Sequence, residues 1–312
     1  MEVKPAKKIN VHCLLLLFYF FISYKVFSTD FFTENTSLVP LDTGAFAYII
    51  ADVQEADPII NIIPIDELKN WQAVLVRQST NTAVAALFAK ESGRRYQIAG
   101  WGNYPSFRAG TALFFSPSWR RQRTEAGSYW YSRKDRLSVT VSASQVFAVS
   151  WHNNHVDPMP SGSGVSLTDD FIEFRNARRM VAEHGINWNA PVSCWMDQPA
   201  LLLNKIFTNE DINIDLPLNR LFFKLYVPVQ QSVSGQFRVS LQMQFNNEAQ
   251  ARNAMTDLAR AGNVSQANTS VLTKIFFANP PIQTGRNITI NTAVLTDEDV
   301  LSIFQLFLLI WE

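Results

Sequence analysis

Residues 237–262 carry the clearest hydrophobic rhythm in the chain. Val239, Leu241, Met243 and Phe245 alternate with Arg238, Ser240, Gln242 and Gln244, the period-two pattern of a strand with one buried face. The period then lengthens. Ala251, Ala254, Met255 and Leu258 fall on one side of a helix, with Asn246 as its cap, Glu248 in its first turn and Gly262 as its end. A second helix is predicted from Thr296, where Thr296 and Asp299 have capping-box spacing ahead of the apolar tail "VLSIFQLFLLIWE".

Similar blocks occur twice and in the same order. "AFAYIIADVQEADPIINII" (45–63) and "PVSCWMDQPALLLNKIF" (191–207) each read as strand, aspartate and short helix, with Asp52 and Asp197 in equivalent places. "RYQIAGWGNYP" (95–105) stands against "RLFFKLYVPVQ" (220–230), both apolar strands introduced by arginine. "FRAGTALFFSPSWRRQRTEAG" (107–127) faces 237–262, each beginning Phe-Arg and read as a strand running into a helix. Finally "YWYSRKDRLSVTVSAS" (129–144) parallels "IFFANPPIQTGRNITINTAV" (275–294), two strands and a turn, and "QVFAVSW" (145–151) adds one more strand. The expectation is an α+β fold of two tandem β-α-β-β-α-β-β repeats, related to the ferredoxin-like split unit, with antiparallel sheets and helices on one face. The first repeat spans 29–156 and the second 171–312. The Pro/Gly/Ser-rich 157–170 is a linker between them.

"AYIIADVQEADPII", "SYWYS…RLSVTVSASQ" and "NPP…TGRNITINTAVLT" resemble segments of a group of exported spirochaete proteins of the Treponema type, a group without an established activity. The resemblance covers much of the chain after the N-terminal segment and implies fold and export. It supplies no active-site residues, because the shared segments are packing and turn stretches.

The N-terminus agrees with export. Lys4, Lys7 and Lys8 precede an apolar run from Cys13 to Ile22, too short to span a bilayer and of h-region length. Residues 1–28 therefore read as a signal peptide cut before Thr29, or as an uncleaved anchor that tethers the chain. Cys13 precedes the apolar run, whereas a lipid-bearing cysteine would follow it. Cys194 is then the lone cysteine, so no intramolecular disulfide is available, and its "PVSCWMD" setting is that of a buried thiol. The Asn-X-Ser/Thr triplets at Asn35, Asn263, Asn268 and Asn287 occur at about the number chance gives, and they decide nothing.

Catalytic chemistry is thin. His152, His155 and Asp157 could meet a metal on a loop, yet no further ligand cluster accompanies them, and the reading is of a solvated turn. His184 reads as a helix-end residue. Asp52 and Asp197 read as helix-entry residues, with a symmetric ligand pair as the alternative. The "SGSG" of 161–164 lacks the lysine of a phosphate loop, and neither a Gly-X-Ser-X-Gly elbow nor a dinucleotide fingerprint occurs. No catalytic residue, cofactor or metal is assigned, and no enzyme activity is expected.

Charge is more informative. Residues 94–136 hold nine basic and two acidic residues, an excess of seven positive charges in a chain whose formal net charge is zero. Trp101, Tyr104, Trp119 and Trp130 are interleaved. Arg108, Trp119, Arg120, Arg121, Arg123, Trp130, Arg133 and Lys134 form the candidate surface for an anionic membrane or an envelope partner protein. Alternatively, the arginines are the wet side of strands and a helix whose tryptophans fill the core. Export argues against nucleic acid. The expected role is non-enzymatic, in the periplasm or cell envelope. A carrier of lipid or another small apolar ligand is the alternative, and a hydrolase of unrecognised type the third. The apolar tail either covers the last sheet or docks on a partner or membrane.

Overall fold

The computed structural model describes residues 38–39, 41–62, 77–89, 94–124, 127–134, 136–151, 165–181, 185–209, 212, 214–229, 235–265 and 270–311. The N-terminal segment 1–28, His152, His155, Asp157 and His184 lie outside them. The first half comprises β1 (Leu38–Val39), β2 (Ala47–Asp52), α1 (Asp57–Ile62), β3 (Thr80–Leu87), β4 (Arg94–Gly102), α2 (Ser106–Phe115), β5 (Trp119–Thr124), β6 (Gly127–Ser132), β7 (Leu137–Val141) and β8 (Gln145–Trp151). Next come β9 (Val165–Ser166), α3 (Asp169–Asn176) and β10 (Arg179–Val181). The second half comprises β11 (Asn187–Asp197), α4 (Ala200–Asn209), β12 (Arg220–Pro228), β13 (Arg238–Gln244), α5 (Glu248–Ser265), α6 (Val271–Phe276), β14 (Ile282–Thr284), β15 (Asn287–Asn291) and α7 (Asp297–Trp311).

The fold is α+β. One antiparallel sheet of 13 strands runs β14-β15-β13-β12-β11-β2-β3-β4-β8-β7-β6-β5, and β10 adds to β11. Within each half most strands pair with sequence neighbours, but β8 returns beside β4 in the first and β15 beside β13 in the second. The sheet order matches between halves (β2-β3-β4-β8-β7 against β11-β12-β13-β15-β14), and β5–β6 is a hairpin added at the edge of the first. The halves join through β2 and β11, where Cys194 pairs with Ile49.

Alternation sorts the core into two layers. Cys194, Met196, Phe223, Leu225, Leu241 and Met243 face one way and pack on Ile59 of α1, Phe207 of α4, Ala251 and Leu258 of α5, and Val300 and Ile303 of α7. Tyr48, Ile50, Val84, Trp101, Phe147, Trp195 and Phe222 face the other way, beneath Leu41, Leu167 and Phe171 of α3. Six of the seven described helices thus lie on one face, and α3 crosses the other. Thr168 Oγ1 caps α3 by accepting from Phe171 N at 3.3 Å.

Several local expectations change. Residues 106–115 are helix and 119–124 strand, the reverse of the predicted order, and the unpredicted β3 takes the place opposite β12. Residues 275–276, expected to open a strand block, instead end α6. The side chain next to α5 that accepts from Gln250 N, at 2.9 Å, is Asn247 rather than Asn246, and the helix passes Gly262 to Ser265. Gly262 packs so closely on Phe277 that an added Cβ would lie 3.2 Å from its ring. Residues 165–170, assigned to the linker, include β9 and the start of α3. At Thr296 the capping box is present: Thr296 N donates to Asp299 Oδ2 at 2.9 Å and Asp299 N to Thr296 Oγ1 at 3.3 Å.

Candidate functional site

The basic stretch resolves into α2 and the β5–β6 hairpin. In α2, Ala109 and Leu113, four residues apart, turn to the sheet. Ser116 leaves the helical conformation ahead of Pro117, as expected for a residue before proline. Leu113 packs on Trp119, Leu137, Val139 and Ala148. The opposite side of α2 is apolar as well: Phe107, Phe114 and Phe115 are 86%, 70% and 77% exposed. Their spacing of seven and eight residues puts them on one side of the helix. The Phe114 and Phe115 rings meet edge to face at 5.4 Å.

Cross-strand register divides the candidate residues. Ala148, Val139, Trp130 and Arg121 form one row across β8, β7, β6 and β5, so Arg121, and Arg123 two residues on, project from the side that carries α2. Arg120 projects from the other side. Arg121 donates to Ser128 Oγ at 3.1 Å. Arg133 and Lys134 are exposed in the β6–β7 turn. Arg120, Arg121, Arg123, Arg133 and Lys134 have no carboxylate partner among the described residues. Trp119, 4% exposed under Leu113, is core and leaves the candidate surface; Trp130 is half-buried in the same cluster. Arg108 lies on α2, with its side chain outside the described set. Trp101 and Tyr104 are buried. Burial pushes the Tyr104 hydroxyl up to about 12 despite its 2.9 Å hydrogen bond with Thr80 Oγ1. The tryptophans therefore largely fill the core, and the exposed aromatics are phenylalanines that the charge pattern did not single out.

Asp52 and Asp197 stay apart. Each lies three residues beyond the Ile49–Cys194 pair, in opposite directions along antiparallel strands, which separates them by about 20 Å. Asp52 Oδ1 accepts from Glu55 N at 3.2 Å at the entry to α1, and Asp197 lies 3.8 Å from Arg220 Nε. At Glu55, desolvation first and then the nearby Asp52 hold the carboxyl above the usual range, against the hydrogen bond from Asn189. Among the described residues no group of three His, Cys, Asp or Glu side chains could hold a metal, and no helix is long and apolar enough to cross a membrane.

Residues 36–298 match the family described as "Outer membrane-associated lipoprotein TP0453". The chain belongs to this family. Its fold is similar to those of crystal forms III and I of TP0453, a Treponema protein. Form III has a TM-score of 0.53 at 16% identity, over 84% of this chain and 94% of that one. Form I has a TM-score of 0.53 at 17% identity, over 88% and 98%. No curated protein matches the chain. The family membership bears out the expected exported, envelope-associated α+β protein of spirochaete type.

Proposed function

We propose that this protein works at an anionic membrane surface of the cell envelope, as a non-enzymatic peripheral component, through α2 and the β5–β6 hairpin. One observation carries the reading: three exposed phenylalanines on α2 share a side of the sheet with Arg121 and Arg123, which have no carboxylate partner among the described residues. Moving a phenyl ring from water to an apolar phase is worth about 1.5–3 kcal/mol, and a basic side chain near an anionic leaflet adds about 1 kcal/mol. An aromatic row rimmed by arginines therefore fits the boundary between acyl chains and anionic headgroups. The description of the family as outer membrane-associated supports the same reading. Arg133 and Lys134, in the adjoining turn, add charge to the rim. The N-terminal segment, as a retained anchor, would hold this face near its bilayer.

Vesicle flotation tests the proposal. The chain from Thr29 onward should float with vesicles containing phosphatidylglycerol and release at high salt, whereas pure phosphatidylcholine vesicles should bind it weakly. Equal distribution between floating and free fractions with and without anionic lipid would rule the reading out.

A further inference from the structure

On the side of the sheet away from α2, the second half sets a buried polar row between the rings of Phe222 and Tyr226. Ser193, Lys224 and Ser240 are cross-strand neighbours in one row of β11, β12 and β13, and they are 3%, 1% and 6% exposed. Lys224 runs beneath the end of α3. Its Nζ donates to the Ala177 carbonyl at 2.9 Å and lies 4.4 Å from the centre of the Phe174 ring. That carbonyl closes α3, so the ammonium also faces the negative end of a helix. One N–H is thereby used and one side of the ammonium is covered.

The rest is unspent. No carboxylate pairs with Lys224 among the described residues; Asp170, at the other end of α3, accepts from Gln244 Nε2 at 2.9 Å and lies 3.8 Å from Arg286 Nη2. The Ser193 and Ser240 hydroxyls have no hydrogen-bond partner among the described residues. The neighbouring row continues the pattern. Arg238, opposite Tyr226, has a buried Nε without an acceptor, and its guanidinium lies 5.4 Å from the Trp188 ring, whose indole N–H is also unpartnered.

Buried polar groups are retained where something satisfies them, and a buried ammonium with only a carbonyl and a ring for company is the costliest case here. Among the described residues, two hydroxyls and an ammonium share one row, a guanidinium and an indole lie in the next, and the Ala177 carbonyl is the one acceptor that Lys224 reaches. What such a set lacks is anionic oxygen. We propose that the Ser193–Lys224–Ser240 row is a binding site for a phosphate-class oxyanion lodged between α3 and the sheet. Lys224 would supply the charge, the two serines the flanking hydrogen bonds, and Arg238 long-range attraction from the next row. The site is independent of the membrane reading, because it lies in the other half and on the opposite side of the sheet from α2. The phosphate could be free or could belong to a lipid headgroup; the recognising chemistry is the same.

Calorimetric titration of the chain from Thr29 onward with inorganic phosphate at neutral pH, with chloride at matched ionic strength as the control, tests the site. Saturable one-to-one uptake of phosphate, weakened at least tenfold in Ser193→Ala/Ser240→Ala and lost in Lys224→Met, is the expected result. The double serine variant strands no charge, so it reads the site even where Lys224→Met fails to fold. A second arm uses a short-chain phosphatidylglycerol below its micelle concentration. Tight, variant-sensitive binding there that phosphate displaces would assign the site to a headgroup, and binding of inorganic phosphate alone would assign it to free phosphate. Absence of saturable uptake in both arms, equal affinity in the serine variant, or equal uptake of chloride would overturn the proposal.

Discussion

Ile49 and Cys194 lie directly opposite each other in the ladder that joins the two halves, and each stands three residues before the aspartate that ends its strand. Equivalent residues that pair with one another mark an axis of approximate two-fold symmetry through the centre of the sheet. The two halves thus join edge to edge through β2 and β11 and leave no free edge at the join. Burial pushes the Cys194 thiol up to about 12, and a thiol so held is almost wholly protonated and unreactive. In the chain from Thr29 onward, a thiol reagent should modify Cys194 only as fast as the protein unfolds. Rapid modification under native conditions would mean that the central ladder opens.

Lys224 governs an alkaline stability change. Desolvation lowers its ammonium to about 8, from an ordinary 10.5. Above pH 8 the unfolded chain holds this proton more firmly than the folded one, so stability rises with pH from near 8 toward 10.5. The full swing is on the order of 3 kcal/mol at about 1.4 kcal/mol per unit. Cys194 works in the opposite sense above about 9, its usual value, because its folded thiol keeps the proton longer. Denaturant titrations should therefore show stability rising between pH 7.5 and 9, with the rise absent in Lys224→Met. An identical rise in the variant would locate the effect elsewhere.

Lys274 and Asp299 hold the start of α7 against α6. The ammonium reaches both carboxylate oxygens, at 2.7 and 2.8 Å, while Asp299 also closes the capping box with Thr296. Desolvation raises the Asp299 carboxyl, but Lys274 and Thr296 together outweigh it and leave it below the ordinary value. Asp299→Ala should cost about 2–3 kcal/mol, because it removes a cap and strands a partly buried ammonium. Wild-type stability contributed by this group should decline as pH falls through the carboxylate range. A loss below half a kcal/mol in urea titration would contradict this role.

At Gly102 the chain passes so close to Ser79 that an added Cβ would lie 1.8 Å from its carbonyl oxygen. The crowding sits at the irregularity in the β3–β4 pairing between Thr80 and Thr82. Gly102→Ala should lower stability by about 2 kcal/mol or more, in the range of strained or overpacked sites, and a neutral result in thermal unfolding would show that the irregularity relaxes freely.

Much of this architecture was legible in the residues, for identifiable reasons. Val239, Leu241, Met243 and Phe245 alternate because one face of β13 is buried beneath helices, and all four are buried. Thr296 and Asp299 announced α7 because a capping box is a local device. The order of α2 and β5 was not legible. The outward Phe107, Phe114 and Phe115 erase the polar side that would mark a helix, and the arginines of an edge hairpin erase the alternation that would mark a strand. β3 was missed because its inward positions include alanines, which give little contrast. The oxyanion row had one signal, a lone lysine inside the apolar "RLFFKLYVP", whose meaning depends on α3 crossing above it.

The membrane reading makes a positional claim that flotation alone does not address. A polarity-sensitive fluorophore on Phe114→Cys, with Val181→Cys in β10 as an equally exposed control, reads it directly; Val181 is 76% exposed. Buried Cys194 should take up no label. Added to anionic vesicles, the label at 114 should shift to the blue and be quenched by brominated acyl chains, while the label at 181 stays in water. Equal responses at the two positions, or none at 114 while the protein is bound, would contradict docking through α2.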